Sequence, residues 1–169
     1  MRLWIITMSC FLTPVLWGAS GMAELQGTAP GSTVKGTVHF TDTPAGLQVS
    51  AQITNAAPGL HGFHIHEFGG CGDLGKAAGG HFNPEGAPHG MLMKDGPHKA
   101  HAGDMGNITV DVNGNATLET ILPNIHLAGP APSVAGRAVI LHEKADDFSQ
   151  PTGNAGGRIA CGPIVITGN

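Results

Sequence analysis

The chain has 169 residues, the length of one ordinary domain, and 41% of them are hydrophobic. Its 27 glycines and 12 prolines oppose long helices and favour many turns. A net charge of −4, the absence of Tyr and the scarcity of other aromatics exclude the basic, aromatic-lined footprint of a nucleic-acid binder.

Residues 1–23 read as a secretory signal peptide, leaving 24–169 as the domain. Arg2 supplies the positive start, and 3–17 is mostly apolar. Gly18, Ala19, Ser20, Gly21 and Ala23 are the small residues that cleavage between Ala19 and Ala23 requires. The apolar run is shorter than the ~20 residues of a membrane span and contains Pro14. Removal of the leader therefore predicts a protein without membrane association, secreted or delivered to a periplasm. Cleavage also removes Cys10 and leaves Cys71 and Cys161, an even pair that in an exported chain reads as a disulfide.

Short alternating runs follow, separated by Gly, Pro, Asn or Asp. Residues 33–40 form the first, and Thr43-Pro44-Ala45-Gly46 makes a turn. In 47–53, Leu47, Val49, Ala51 and Ile53 share one face, the signature of a half-buried strand. Residues 60–66 are a third strand. The runs 108–112 and 116–121 flank Asn113-Gly114, a strong hairpin signal. Residues 138–142 and 159–167 complete the set. No window shows a helical period. The pattern is all-β: an antiparallel sandwich or barrel with two long irregular loops, 69–103 and 143–157, whose length marks them as functional.

Ten histidines in such a chain need a chemical reason. His64 and His66 stand at i and i+2 on one strand, so their imidazoles share a face. Converging neutral imidazoles suit copper or zinc. The long loop adds His81, His89, His98 and His101, with Asp104 three residues after His101, a mixed nitrogen–oxygen set of the kind zinc takes. His142 ends another strand.

These residues resemble the copper/zinc superoxide dismutases. Gly62-Phe63-His64-Ile65-His66-Glu67-Phe68-Gly69 is similar to their copper-ligand strand. His81-Phe82-Asn83-Pro84, His89-Gly90 and His101-Ala102-Gly103-Asp104-Met105-Gly106-Asn107 resemble their zinc loop. Leu141-His142-Glu143-Lys144-Ala145-Asp146-Asp147 and the stretch from Thr152 through Arg158 to Gly162 match the last two motifs.

The resemblance implies an eight-stranded antiparallel Greek-key barrel and one copper and one zinc ion per subunit. It implies copper ligands His64, His66, His81 and His142, and zinc ligands His81, His89, His101 and Asp104, with His81 bridging. Arg158 corresponds to the arginine beside the open copper face. Asp146 corresponds to the carboxylate joining a copper-ligand His to a zinc-ligand His, and Cys71–Cys161 to the family disulfide. The implied partner is the superoxide anion, and the implied reaction its dismutation, with Arg158 and His81 taking part. The alternative is a copper-delivery or metal-buffering domain on the same fold. Monomer and homodimer both stand open. Two departures bear on function. The loop from His142 to Arg158 is short and poor in positive charge, which rests attraction of the anion on Arg158. Met91, Met93 and His98 read by default as a solvated loop with incidental methionines, the alternative being a site that holds copper(I) during loading.

Overall fold

Where apolar and polar residues alternate, the chain forms strands that send one face inward. The computed structural model describes residues 18–129 and 132–168. Strand β1 is Ser20–Gly27, β2 Lys35–Thr43 and β3 Gly46–Thr54. Strand β4 is Gly59–His66, β5 Asp104–Val110 and β6 Ala116–Leu122. Strand β7 is Ala138–His142, β8 Arg158–Pro163 and β9 Val165–Gly168. On β3, Leu47, Val49, Ala51 and Ile53 are all buried, as the period-two pattern requires. They meet Ala23 and Leu25 of β1, Val38 and Phe40 of β2, and Phe63 and Ile65 of β4 in one continuous core.

The strands are antiparallel and ordered β5-β4-β7-β8-β1-β2-β3-β6, with β9 also paired to β1. This is the expected Greek-key barrel, nearly closed between β5 and β6. The ninth strand is the continuation of the eighth. Ile164 interrupts the run 159–167: it is buried, and its N–H donates to the Arg137 carbonyl at 2.8 Å.

Two expectations are adjusted. Asn113-Gly114 does form a turn, in which Asp111 Oδ1 accepts from the N–H groups of Asn113 (2.8 Å) and Asn115 (2.9 Å). The flanking strands do not form a ladder with each other, however. Strand β5 pairs with β4 and β6 with β3, because Ile108, Val110, Ala116 and Leu122 must all face the same interior from opposite sides of the barrel's seam. Second, the folded unit begins before residue 24. Gly21, Met22 and Ala23 already pair with Phe40, His39 and Val38, and Ala23 is part of the core. A chain cut after Ala23 would lack half of β1, whereas a cut after Ala19 leaves the strand whole. Residues 1–17 of the expected leader lie outside the described residues.

The two long loops pack on the outside of β4, β7 and β8. The first holds a 3₁₀ turn at Lys76–Ala78 and one helical turn, α1, at Leu92–Asp95. A disulfide joins Cys71 in this loop to Cys161 on β8. Ala78, Ala138, Ile140 and Cys161 form a small second core beneath it. No helix among the described residues is long and apolar enough to cross a membrane.

Candidate metal centre

Alternation along β4 sends Phe63 and Ile65 into the barrel and leaves His64 and His66 on its outer surface. Both histidines are nevertheless buried, because the two long loops cover that surface. Register then assembles the neighbours. His64 lies opposite Ile140 and His66 opposite Ala138 on β7, whose last residue is His142. Across the next ladder His142 lies opposite Arg158. An isolated antiparallel bridge sets His81 beside His66.

Two groups of four residues converge. His64, His66, His81 and His142 form one; His81, His89, His101 and Asp104 form the other. Within each, one ligand atom per residue lies within 4.8 Å of all the rest, and every member is buried. His81 belongs to both. Its Nδ1 is 2.8 Å from Asp104 Oδ1 and 3.4 Å from His101 Nδ1, which leaves Nε2 for the other group.

Three of the histidines have one ring nitrogen held by a carboxylate or carbonyl, which leaves the other to ligate, as the partners of metal-binding histidines do. His66 Nδ1 donates to the Gly79 carbonyl at 3.0 Å. His64 Nε2 donates to Asp146 Oδ2, and His89 Nε2 to Asp146 Oδ1, each at 2.9 Å. One carboxylate thus ties a member of each group together. Asp146 is itself held by Asn107, whose side chain accepts from the Asp146 N–H (2.7 Å) and donates to its carbonyl (2.9 Å). Gly153, with φ +75°, must lack a side chain here: a Cβ would sit 1.8 Å from Asp146 Oδ1.

These residues fit metal cations. His64 Nδ1, His89 Nδ1 and His142 Nδ1 are buried with no hydrogen-bond partner among the described residues. His89 Nδ1 lies 2.8 Å from Asp104 Oδ2 without the direction of a hydrogen bond. His66 Nε2 faces His142 Nε2 at 3.3 Å, while His66 already spends its proton on Gly79. Buried lone pairs facing each other and a buried carboxylate are costly unless a cation lies among them.

Electrostatics divide the site. Burial, with neighbouring histidines adding to it, pushes His66 down to about 2 and His142 to about 3. Burial also takes His81 down to about 4 against the pull of Asp104. His89 goes the other way, to about 9: burial lowers it, but Asp104 and Asp146 outweigh burial. Both carboxyls are held below the ordinary range by their histidine partners, although burial opposes this.

A cleft of about 370 Å³ opens over His66, His81 and His142, with Arg158 on its wall. The guanidinium donates to the carbonyls of Gly75 (2.7 Å) and Gly79 (2.6 Å), both in the disulfide-bonded loop. A larger, more apolar cleft on the far side of Arg158 contains Lys76 and Leu74 but no histidine. Arg137 is structural: it donates to the Ser133 and Glu67 carbonyls and lies over the Phe82 ring.

Of the residues singled out in the sequence, seven form the two groups, Asp146 bonds to a member of each, Arg158 lines the cleft over one, and Cys71 and Cys161 form the disulfide. His98, Met91 and Met93 do not form a joint site. His98 is exposed on the rim of a separate cleft beside Glu85 and Pro97. Met91 packs beside Gly106, and Met93 against the core. Sequence reasoning missed Asn107 as a support for Asp146, since the two lie 39 positions apart with no local pattern joining them. It also missed the carbonyls of Gly75 and Gly79, for which no side-chain signal exists. His61 is buried, with its ring nitrogens 2.8 Å from the carbonyl oxygens of His142 and Ala57.

The family described as copper/zinc superoxide dismutase matches residues 34–164. Among solved structures, the chain is similar to one described as a crystal structure analysis of the clock protein EA4. The two are 38% identical with a TM-score of 0.77, over 95% of this chain and 100% of that one.

Proposed function

The chain belongs to the copper/zinc superoxide dismutase family, and on that premise we propose that it disproportionates superoxide to dioxygen and hydrogen peroxide. In this reading His64, His66, His81 and His142 hold copper, and His81, His89, His101 and Asp104 hold zinc. Bound copper would supply the one-electron redox chemistry that dismutation needs, and zinc, with a single oxidation state, would supply a fixed positive charge.

The chain's own residues do the rest. His81 Nε2 takes up a proton whenever it is not ligating and returns it to the reduced oxygen species, meeting part of the two-proton demand. Asp146 fixes the ring orientations of His64 and His89 together. Arg158 attracts the anion into a cleft on a protein whose net charge of −4 repels it. Two of its five N–H groups are spent on loop carbonyls, and the others remain for a diatomic anion.

The observation that carries the reading is the pair of four-residue groups sharing His81, with buried lone pairs that no hydrogen bond satisfies. Metal content and superoxide disproportionation, measured together on the purified protein, test it. One copper and one zinc with catalysis is the expected result. Both metals without catalysis would instead indicate a delivery or buffering domain.

Export is part of the proposal. The Cys71–Cys161 disulfide supports an oxidising compartment, secreted or periplasmic. The start of β1 at Ser20 favours cleavage at the Ala19 end of the window. The N-terminal sequence of protein recovered from a secreting host checks this; a mature chain beginning at Glu24 would contradict it.

A further inference from the structure

His89 is buried, yet no backbone group among the described residues bonds to its main chain. It lies between Pro88, which has no N–H, and Gly90, whose N–H is taken by Asp104 Oδ2 at 3.0 Å. The stretch around it, from Pro84 to Pro88, is irregular and largely exposed. Both main-chain groups of His89 go to one side chain on the other loop. Gln150 Oε1 accepts from the His89 N–H at 2.9 Å, and Gln150 Nε2 donates to the His89 carbonyl at 2.9 Å. A carboxamide both accepts and donates in this paired geometry, which an ionised carboxylate cannot do. Asn107 grips Asp146 in the same two-point way.

The same loop holds His89 twice more. The Phe148 ring lies nearly parallel to the imidazole, 6.3 Å between centroids and 20° between planes. Asp146 takes its Nε2. Position, ring plane and donor nitrogen of His89 are therefore all set by residues 146–150, which contribute no ligand to the zinc group.

We infer that Gln150 is a positioning residue for the zinc site: it places the His89 main chain so that Nδ1 faces Asp104, His81 and His101. The inference rests on the reading of that group as a zinc site. Without Gln150 the buried N–H and C=O of His89 lose their partners, and the segment moves toward water to satisfy them. The ligand group then opens before any ligand is removed. Side-chain length and chemistry both matter. Asn is one methylene too short to reach, and Glu keeps the acceptor but cannot donate to the carbonyl.

The test is zinc affinity of the full chain, measured by chelator competition, for wild type, Gln150→Ala and Gln150→Glu. Far-ultraviolet circular dichroism of each metal-free protein checks that it folds. Loss of such supporting contacts typically weakens metal binding about 10- to 100-fold. Gln150→Ala is expected to raise the zinc Kd by at least about tenfold, with Gln150→Glu between it and wild type. The visible spectrum of cobalt(II) bound in place of zinc is expected to change in the same order. A zinc Kd for folded Gln150→Ala less than tenfold above wild type overturns the inference, even if its metal-free form melts at lower temperature. Should Gln150→Ala not fold, an unchanged Kd and cobalt spectrum in Gln150→Glu overturn it instead. Wild-type protein that fails to bind zinc at all would defeat the metal reading itself, which is a different result.

Discussion

His66 and Arg158 donate to one and the same acceptor, the carbonyl oxygen of Gly79, at 3.0 and 2.6 Å. The imidazole is thereby turned with its free nitrogen toward the metal group, and the guanidinium is pinned at the cleft over it. A single peptide in the disulfide-bonded loop thus fixes both a candidate ligand and the arginine that lines that cleft. Arg158→Gln removes the positive focus and leaves all seven candidate metal ligands in place. Metal content is expected to stay at wild-type level while the superoxide rate falls about tenfold or more. The decline of rate with rising ionic strength is expected to flatten. A variant as salt-sensitive as wild type would remove Arg158 from this role.

The Cys71–Cys161 disulfide closes a loop spanning 90 positions, for which chain entropy assigns about 4–5 kcal/mol. It also anchors the segment whose Gly75 and Gly79 carbonyls hold Arg158. Replacing both cysteines by serine is expected to lower urea-unfolding stability by an amount of that order. Activity should fall as well, under conditions where the variant is still folded and metallated. A less stable protein with full activity would show that the disulfide does not position Arg158.

Stability of the metal-free protein should peak near pH 6.5. His66, His81 and His142 have folded values of about 2, 4 and 3 against an ordinary 6.5, so below 6.5 the unfolded chain binds protons that the folded one refuses. Stability is then lost as pH falls, each group contributing at most about 1.4 kcal/mol per pH unit. His89 has the opposite sign. Raised to about 9, it adds stability that is complete below 6.5 and lost as pH rises through 9. Urea unfolding of the metal-free protein between pH 4 and pH 9 measures this, and a flat profile would contradict it.

Gly153→Ala places a methyl group 1.8 Å from Asp146 Oδ1 and 2.6 Å from His89 Nε2, at a residue with φ +75°. Backbone strain alone costs about 1–2 kcal/mol, and the carboxylate must also move. Lower thermal stability and weaker zinc binding are expected together. Alanine tolerated without change in either would mean that this loop does not need its close approach to Asp146.

Much of the ligand set was legible in the chain. The i, i+2 spacing of His64 and His66 forces both onto one side of a strand, and the His101-x-x-Asp104 spacing brings two donors together locally. Alternation in 47–53 likewise sufficed for the core face of β3. The hairpin at Asn113-Gly114 was legible only as a turn, because which strands pair is settled by the barrel and not by the five residues joining them.

What sequence by itself determined is therefore local: which side chains share a face, where the chain turns, and which residue types can bind metal. Tertiary structure alone decided that one carboxylate joins His64 to His89, that Gly79 serves both His66 and Arg158, and that Gln150 satisfies the main chain of His89. Those contacts join residues 13 to 82 positions apart. They depend on where loops without periodicity come to rest, and that is settled by the packing of the whole barrel and the need to satisfy buried polar groups.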